Sequence, residues 1–407
     1  MTLCSLIDRC GGTDRLALAL ADSTDTAAQL KALSNMKAIA RCTVEYDGVP
    51  SSRFAAACFP PLIALLDRVG REEVMLAAAR AVAGFMQLML PPGTMWQHQY
   101  RALNVAHALR RLVLGSAECI KQLAALLQGT EDHEEEEEDG IAHCAVRALN
   151  YLTYDRERMM CERVAAIALP ALAACMPNGN KATLSHAVSV MERLTNTPEL
   201  VAQLSTDACV CGLVEALKAG GTTEKLAAQV LARLCASHNA SVRNPVANSP
   251  LCIPTLLQVI RETDKGTGHA LTALGFLSLL GDDAVRNRIV RSQGIETFVD
   301  TLRHPALMHV FSADATWCLC SLAAMGTDAV RKKIKAVASG VLKKSLQSAR
   351  DETRDLAART LAAARGREAL PLTSDPFTWG MGYEERMMKA LQEAERFAAR
   401  LRGENIP

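Results

Sequence analysis

The sequence predicts an all-α protein in which one helical unit is repeated along the chain. The first indication is composition, because aromatic residues make up only 4% of the chain while AVILMFWYC residues reach 49%, most of them Ala, Leu and Val. Such a mixture suits helices that pack closely through small side chains and disfavours a β-sandwich or barrel. The second indication is an apolar segment that recurs at near-regular spacing.

The recurring segment follows the template A-x-x-(A/V)-L-x-x-L, whose apolar positions form one stripe along a helix. We call its fifth position the anchor. Successive anchors are separated by 40 to 49 residues, apart from one gap of 67. The anchors are Leu33, Val82, Leu149, Met191, Leu231, Leu274, Leu319 and Leu361.

Two further elements accompany this segment. An apolar stretch with an early proline precedes it, as in IPTLLQVI (253–260), and proline is tolerated in a first helical turn. A short basic helix comes earlier still, as in AVRNRI (284–289) and AVRKKI (329–334), where Gly294 and Gly340 are the expected C-caps. Each unit is therefore predicted to be a short helix, a turn with glycine and two longer helices.

This pattern resembles the armadillo repeat, a unit of three helices in about 40 residues. Its second helix reads Gly-Ile-Pro-x-Leu-Val and its third resembles Trp-Ala-Leu-Ser-Asn-Leu. The resemblance covers roughly residues 25–366 and is clearest over 141–364. HEAT repeats are the alternative, but they have two helices and lack the Gly-Ile-Pro entry. The resemblance implies a right-handed superhelical solenoid of about eight repeats, with the third helices lining a concave, ligand-facing groove.

The predicted organisation has three parts, with two interruptions in the first. They are an armadillo-repeat solenoid over 1–366 with irregular insertions near 88–106 and 129–140, a linker over 367–382 and a C-terminal helix over 383–402. The second insertion contains the acidic run Glu131–Asp139, which is either a solvated loop or a pseudo-ligand for the groove. The C-terminal helix either caps the last repeat or pairs with another helix.

The groove positions are two residues before and two residues after each anchor. Importin-like armadillo proteins keep Trp at the first position and Asn at the second, and here only Trp317 and Asn35 match. A grip on basic peptides is therefore disfavoured. Six of the sixteen positions are Lys or Arg and none is acidic, which favours an acidic, extended partner; alternatively, long basic side chains only cover the helix surface. The predicted partner-binding residues are Lys31, Asn35, Arg80, Arg147, Tyr151, Arg193, Arg233, Trp317 and Arg359.

The sequence contains no pattern typical of an enzyme or a metal site. The Cys-x-Cys pairs 209/211 and 318/320 lie on helices, where residues i and i+2 point away from each other, and no HExxH, GxxxxGK[ST] or GxSxG is present. We predict no catalytic residue, no cofactor, no metal and no small-molecule substrate. No secretory signal or membrane span is recognised, and the scattered cysteines favour an intracellular, cytoplasmic location.

The predicted function is a non-enzymatic scaffold or adaptor that binds a protein partner, with nucleic acid and membrane not expected as partners. The alternative is a structural component of a large eukaryotic assembly, such as a ciliary axoneme or cytoskeletal array. Its contacts would come from the convex face, the 88–100 loop and the C-terminal helix. Three aromatics are possible docking residues, Trp96 in that loop and the linker residues Phe377 and Trp379, of which the latter two dock onto either the solenoid end or a partner. An adaptor is expected in the soluble fraction after mild extraction, and a lattice component in the insoluble one.

Overall fold

The all-α prediction is confirmed. The computed structural model describes residues 7, 10–21, 25–45, 52–67, 72–87, 117–127, 140–154, 158–262, 265–348 and 350–366. All regular secondary structure in these residues is helical, and they contain no strand. They form two compact units, Met1–Val230 and Leu231–Pro407, and the boundary falls inside helix α11 (Gly221–Ala236).

The first unit contains the ten helices that precede α11 in the described residues. They are α1 (Thr13–Ala21), α2 (Thr26–Glu45), α3 (Ser52–Ala64), α4 (Glu72–Gln87), α5 (Ala117–Leu126), α6 (Ile141–Leu152), α7 (Arg158–Cys175), α8 (Lys181–Leu194), α9 (Pro198–Leu204) and α10 (Asp207–Lys218). Short 3-10 turns extend α3 and α7 over Leu65–Asp67 and Met176–Asn178.

The second unit contains eight helices after α11 in the described residues. They are α12 (Ala240–Asn248), α13 (Cys252–Glu262), α14 (Thr267–Leu280), α15 (Asp283–Arg291), α16 (Gly294–Arg303), α17 (Pro305–Met325), α18 (Asp328–Ser345) and α19 (Asp351–Ala363).

The anchors explain how the helices pack. All eight anchor residues are buried, and each lies on a different helix. We call the helices that carry an anchor the third helices. Third helices pack against one another in series, α2–α4–α6–α8 in the first unit and α14–α17–α19 in the second. The helices that precede them form a second series in each unit, α5–α7–α10 and α13–α16–α18. Each series buries the apolar stripes of the other.

We call the helices of one repeat a group. In the described residues, three groups have the predicted order of a short helix and two longer ones. They are α9–α10–α11, α12–α13–α14 and α15–α16–α17. In the first of them the short helix meets the next at 87°. In the groups of α3, α7 and α18 the short helix and the second helix are one continuous helix, so the predicted turn is wrong there.

The prolines of the continuous helices lie inside them and not in a first turn. Pro60 and Pro61 are within α3, and Pro170 is within α7. Proline in a helix interior frees the carbonyl four residues earlier. Because Pro170 and Ala166 are both exposed, water can bind that carbonyl, and the helix continues.

Gly340 also lies inside a helix, not at a C-cap as predicted. Residues Val330, Ile334, Ala338 and Leu342 are buried at four-residue intervals across it, which holds α18 as one helix. An interior glycine costs about 1 kcal/mol relative to alanine. Burial of Ile334 before it and of Leu342 after it outweighs this cost.

Gly294 is likewise not the left-handed residue between α15 and α16. The left-handed conformation belongs to Gln293, with φ 66°. Gly294 begins α16, where an added Cβ would lie 2.5 Å from Cγ2 and 2.8 Å from the carbonyl oxygen of Ile289. The glycine is therefore required for a close approach and not for its backbone angle.

The basic short segments of the second unit have a structural role. Arg243 donates to the carbonyl oxygen of Ser237 at 2.6 Å, and Arg331 donates to that of Gly326 at 2.6 Å. The equivalent Arg286, only 8% exposed, donates to the carbonyl oxygen of Gly281. Each arginine thus binds a carbonyl at the end of the preceding third helix, which has no partner within its own helix.

Among the described residues, the stretch Arg158–Asn178 is long and apolar enough to cross a membrane by length and composition alone. Within the fold, however, this stretch includes α7, which packs against α5 and α10 as part of the second helical series. Its apolar character therefore has a packing explanation in the repeat.

Candidate functional site

The third helices of the first unit carry a row of cations. Because α-helical residues advance by about 100°, positions two before and two after an anchor both lie roughly opposite to it. On α2, α4, α6 and α8 these positions supply one cation per helix. We call them the basic row: Lys31, Arg80, Arg147 and Arg193.

The basic row reaches solvent to different degrees. Lys31 is exposed, whereas Arg80, Arg147 and Arg193 are half-buried, as is the neighbouring Asn35. No Asp or Glu occupies either groove position on these four helices. The row therefore presents positive charge without a carboxylate at an equivalent position.

Arg193 joins two successive third helices. Its Nη1 donates to the main-chain carbonyl of Asn150, to Oδ1 of Asn150 at 2.7 Å and to Oγ1 of Thr153 at 3.4 Å. Its guanidinium carbon lies 4.9 Å from the centroid of the Tyr154 ring, which is cation–π distance. Arg193 thus stabilises the contact between α6 and α8 besides adding charge to the row.

This contact fixes the tautomer of a histidine. Since Oδ1 of Asn150 accepts from Arg193, the amide nitrogen of Asn150 is the atom that faces Nδ1 of His186, at 2.9 Å. Nδ1 must therefore accept, and the ring is neutral with its proton on Nε2. The ring of His143 lies 5.2 Å away, centroid to centroid.

The electrostatics agree with a neutral ring. Burial, together with His143, Arg147 and Arg193, lowers the pKa of His186 from 6.5 to about 4. Burial raises the pKa of the Tyr151 hydroxyl, although Arg147 acts in the opposite direction. Tyr151, predicted as a partner contact, is only 8% exposed and contributes mainly to packing.

In the second unit the groove positions of α14 and α17 lie in the interior. Trp317, predicted as a partner contact, is 4% exposed, and its ring meets Phe276 edge-on at 5.1 Å. Gly275 makes room for it, because an added Cβ would lie 2.2 Å from Cζ3 of Trp317. Here the tryptophan fills the space between two third helices.

The two remaining predicted cations, Arg233 and Arg359, belong to this unit and not to the first. Arg233 is half-buried on α11. Arg359 on α19 forms an ion pair with Asp355, with 2.8 Å between Nε and Oδ2. The basic row is therefore defined by the first unit alone.

Several predicted features lie outside the described residues. These are the docking aromatics Trp96, Phe377 and Trp379, the acidic run, the linker and the C-terminal helix. In chain order, the acidic run lies between α5 and α6, and residues 88–106 lie between α4 and α5.

Asn150, His186 and Gly275 make specific contacts that the repeat pattern does not predict. Asn150 and Gly275 each directly follow an anchor, and His186 lies five residues before one, so the groove template excludes them. Inspection of the position directly after each anchor could have identified Asn150 and Gly275. A polar or very small residue in an apolar helical segment indicates a specific contact with a neighbouring helix.

The Cys-x-Cys pairs behave as helix geometry predicts. Cys209 is buried while Cys211 is exposed. Cys318 and Cys320 face different neighbours: the first donates to the carbonyl of Leu271 on α14, and the second contacts Thr360 on α19. Burial raises the pKa of the Cys318 thiol well above its usual value. Within the described ranges no group of three His, Cys, Asp or Glu side chains could hold a metal ion.

The sequence matches no model of a known protein family and no curated protein. Among solved structures, it is similar to computationally designed armadillo repeat proteins for modular peptide recognition, at 16% identity and a TM-score of 0.49, over 60% of this chain and 99% of that one. An engineered protein is 20% identical, with a TM-score of 0.48, over 61% and 98%. A designed armadillo repeat protein in complex with the peptide (KR)4 is 15% identical, with a TM-score of 0.37, over 75% and 98%.

The helices of the described residues repeat one arrangement. Three groups consist of a short helix and two longer ones, and the eight anchors, each on a different helix, are all buried. Within each unit the third helices pack in series and the second helices pack in a parallel series. The protein therefore has an armadillo-like repeat fold, as the sequence predicts.

Proposed function

We propose that the protein is an interaction scaffold and that the basic row of its first unit binds an extended, acidic segment of a partner protein. The observation that carries this proposal is the placement of one cation on each of four consecutive third helices, on the side opposite the buried anchors. An extended peptide that crosses such helices meets a cation at each of them.

The magnitudes favour binding by several contacts at once. One exposed ion pair contributes only about 0.2–1 kcal/mol. A segment that pairs with three or four cations gains enough for measurable affinity only as a set, and the interaction weakens as salt screens it. The proposed partner is therefore a segment with several spaced carboxylates and not a single acidic residue.

Arg193 is unsuitable as a test residue, because it holds α6 and α8 together. Loss of binding after its replacement would not separate contact with the partner from damage to the site. The test therefore uses the other three cations of the row, replaced together in the variant Lys31→Glu/Arg80→Glu/Arg147→Glu.

The experiment measures fluorescence anisotropy of labelled Gly-Glu, Gly-Gln and Gly-Lys repeat peptides with the full chain. We expect only the Gly-Glu peptide to bind, with affinity falling between about 0.1 M and 1 M salt as the Debye length shortens from about 10 to 3 Å. The triple reversal is expected to weaken binding by about tenfold or more.

The matched control reverses three exposed cations of the same unit that lie off the row, Lys121, Arg163 and Lys181. It changes net charge by the same amount, so it isolates position from overall charge. Equal weakening by the control, or equal binding of the Gly-Gln peptide, would contradict the proposal. Circular dichroism melting of each variant verifies that the fold is retained.

A further inference from the structure

The contact region between α6 and α8 contains polar groups that the packing of the unit does not use fully. One of them is Arg147 on α6, whose Nε is buried without a hydrogen-bond partner among the described residues. A buried donor without a partner costs about 1–3 kcal/mol. An acceptor supplied by a ligand would remove that cost.

A second donor faces the same region. The network from Arg193 through Asn150 leaves the proton of His186 on Nε2, and no described residue accepts a hydrogen bond from that atom. His186 is half-buried, so part of the ring is accessible. Arg147 is near enough to this ring to contribute to the lowering of its pKa.

The side chains that shift the pKa of His186 are all basic. The groups that act on its titration are His143 and Arg147 from α6 and Arg193 from α8, and no carboxylate is among them. A cationic ligand would be repelled here. The guanidinium of Arg147, beside a second N–H donor, suits an oxyanion.

We propose that this contact region of α6 and α8 binds one side-chain oxyanion of the partner segment, a carboxylate or a phosphomonoester, through Arg147 and the Nε2–H of His186. Asn150 and Arg193 are positioning residues, because they hold the histidine in the tautomer that presents this donor. The inference rests on the proposed function, and it names the anchoring contact within the basic row.

The first experiment uses three labelled Gly-Ser repeat peptides that differ only at the central position, which is Asp, phosphoserine or unmodified serine. We expect the Asp and phosphoserine peptides to bind at least fivefold more tightly than the serine peptide. The tighter of the two identifies the source of the oxyanion. Equal affinity of all three peptides would overturn the inference.

Two substitutions of His186 test the roles of its two ring nitrogens separately. In His186→Asn the side-chain oxygen can still accept from Asn150, but the donor at the Nε2 position is lost. In His186→Gln an amide N–H can occupy the Nε2 position. We expect His186→Asn to reduce affinity for the tighter-binding peptide by at least fivefold, and His186→Gln to retain more of it.

The cation is tested in the same way. Arg147→Gln is expected to weaken binding of the same peptide by at least fivefold, whereas Arg163→Gln, an equal loss of charge at an exposed position on α7, changes it less than twofold. Full affinity in both His186→Asn and Arg147→Gln would overturn the inference. If charge reversal of Lys31 and Arg80 still weakened binding of the Gly-Glu peptide, the proposed function would stand even though the oxyanion site had been disproved.

The positioning role has its own readout. In protein labelled with ¹⁵N-histidine, the nitrogen chemical shifts report which ring nitrogen carries the proton. We expect Asn150→Ala to shift His186 from the Nε2–H tautomer toward a mixture and to weaken peptide binding. An unchanged tautomer with unchanged affinity would contradict the assignment of Asn150 as a positioning residue.

Discussion

At the scale of single residues, replacing glycine by alanine should have opposite effects on stability at two helical positions. Gly275 lies on α14 against the indole of Trp317, and Gly340 lies on the exposed side of α18 with open space around it. Helix propensity alone predicts that alanine stabilises both helices by about 1 kcal/mol. At Gly275, however, an added Cβ would overlap the indole ring, so alanine should destabilise the protein there.

We therefore predict that Gly275→Ala lowers the free energy of unfolding by about 1–3 kcal/mol, because the new Cβ overlaps the Trp317 ring. Gly340→Ala is the control and should raise it by about 0.5–1 kcal/mol. Urea unfolding measures both. Stabilisation by Gly275→Ala would contradict the close contact between Gly275 and Trp317, and partial rescue by Trp317→Leu would support it.

His186 predicts a pH dependence of stability. Its pKa is lowered from 6.5 to about 4 on folding, so the unfolded chain binds the proton more readily. The neutral ring contributes stability that is present above pH 6.5 and is lost as the pH falls toward 4.

We expect wild-type protein to lose about 1 kcal/mol relative to His186→Asn between pH 7 and pH 5, since the partly exposed ring moderates the full effect. Thermal unfolding of both proteins across this range measures the difference. The comparison cancels the titration of carboxylates, which both proteins share. A constant difference between them would show that the ring titrates normally in the folded state.

At the scale of helices, the sequence predicts the third helices well and the ends of the other helices less well. The anchors identify the third helices because their apolar stripe is long and regular. The merged helices α7 and α18 were missed because Pro170 and Gly340 are strong local stop signals. Tertiary burial on both sides of each residue overrides those signals, and burial is not visible in a local pattern.

The turn between α15 and α16 gives a prediction at this scale. Gln293 has a left-handed backbone, φ 66°, which costs a residue other than glycine about 1 kcal/mol. Gln293→Gly should therefore stabilise the protein by about that amount. Gln258→Gly, the same change at an exposed helical position in α13, should destabilise it by about 1 kcal/mol. Differential scanning calorimetry of the two variants checks the opposite signs.

The candidate site was only partly predictable from the sequence. The cations of the basic row follow from the spacing of the anchors, because the groove positions are defined relative to them. The network of Arg193, Asn150 and His186 does not, because it joins residues 36 and 43 positions apart. The interior location of Trp317 depends on Gly275 in the preceding group, which the template for a single helix does not include.

At the scale of the whole molecule, each group of helices depends on its neighbours. Leu319 on α17 lies in a helix that packs on both α14 and α19, whereas Leu361 lies on α19, the last described third helix. Both anchors are buried, but Leu361 retains 9% exposure. An anchor between two neighbours should therefore matter more than one at an end.

We predict that Leu319→Ala lowers the free energy of unfolding by about 3–5 kcal/mol and Leu361→Ala by about 2 kcal/mol or less. Chemical denaturation monitored by circular dichroism tests the order. Equal losses would indicate that α19 is covered on its outer side as fully as α17 is.

The bond between Arg193 and Asn150 limits how far the repeats are interchangeable. Each of these residues belongs to a different group, and each satisfies a polar atom of the other. If the group of α8 were grafted after a foreign repeat, Arg193 would lose its acceptor, and the group left behind would lose its donor. A protein engineer would need to move the two groups as one cassette, even though the anchors mark them as separate modules.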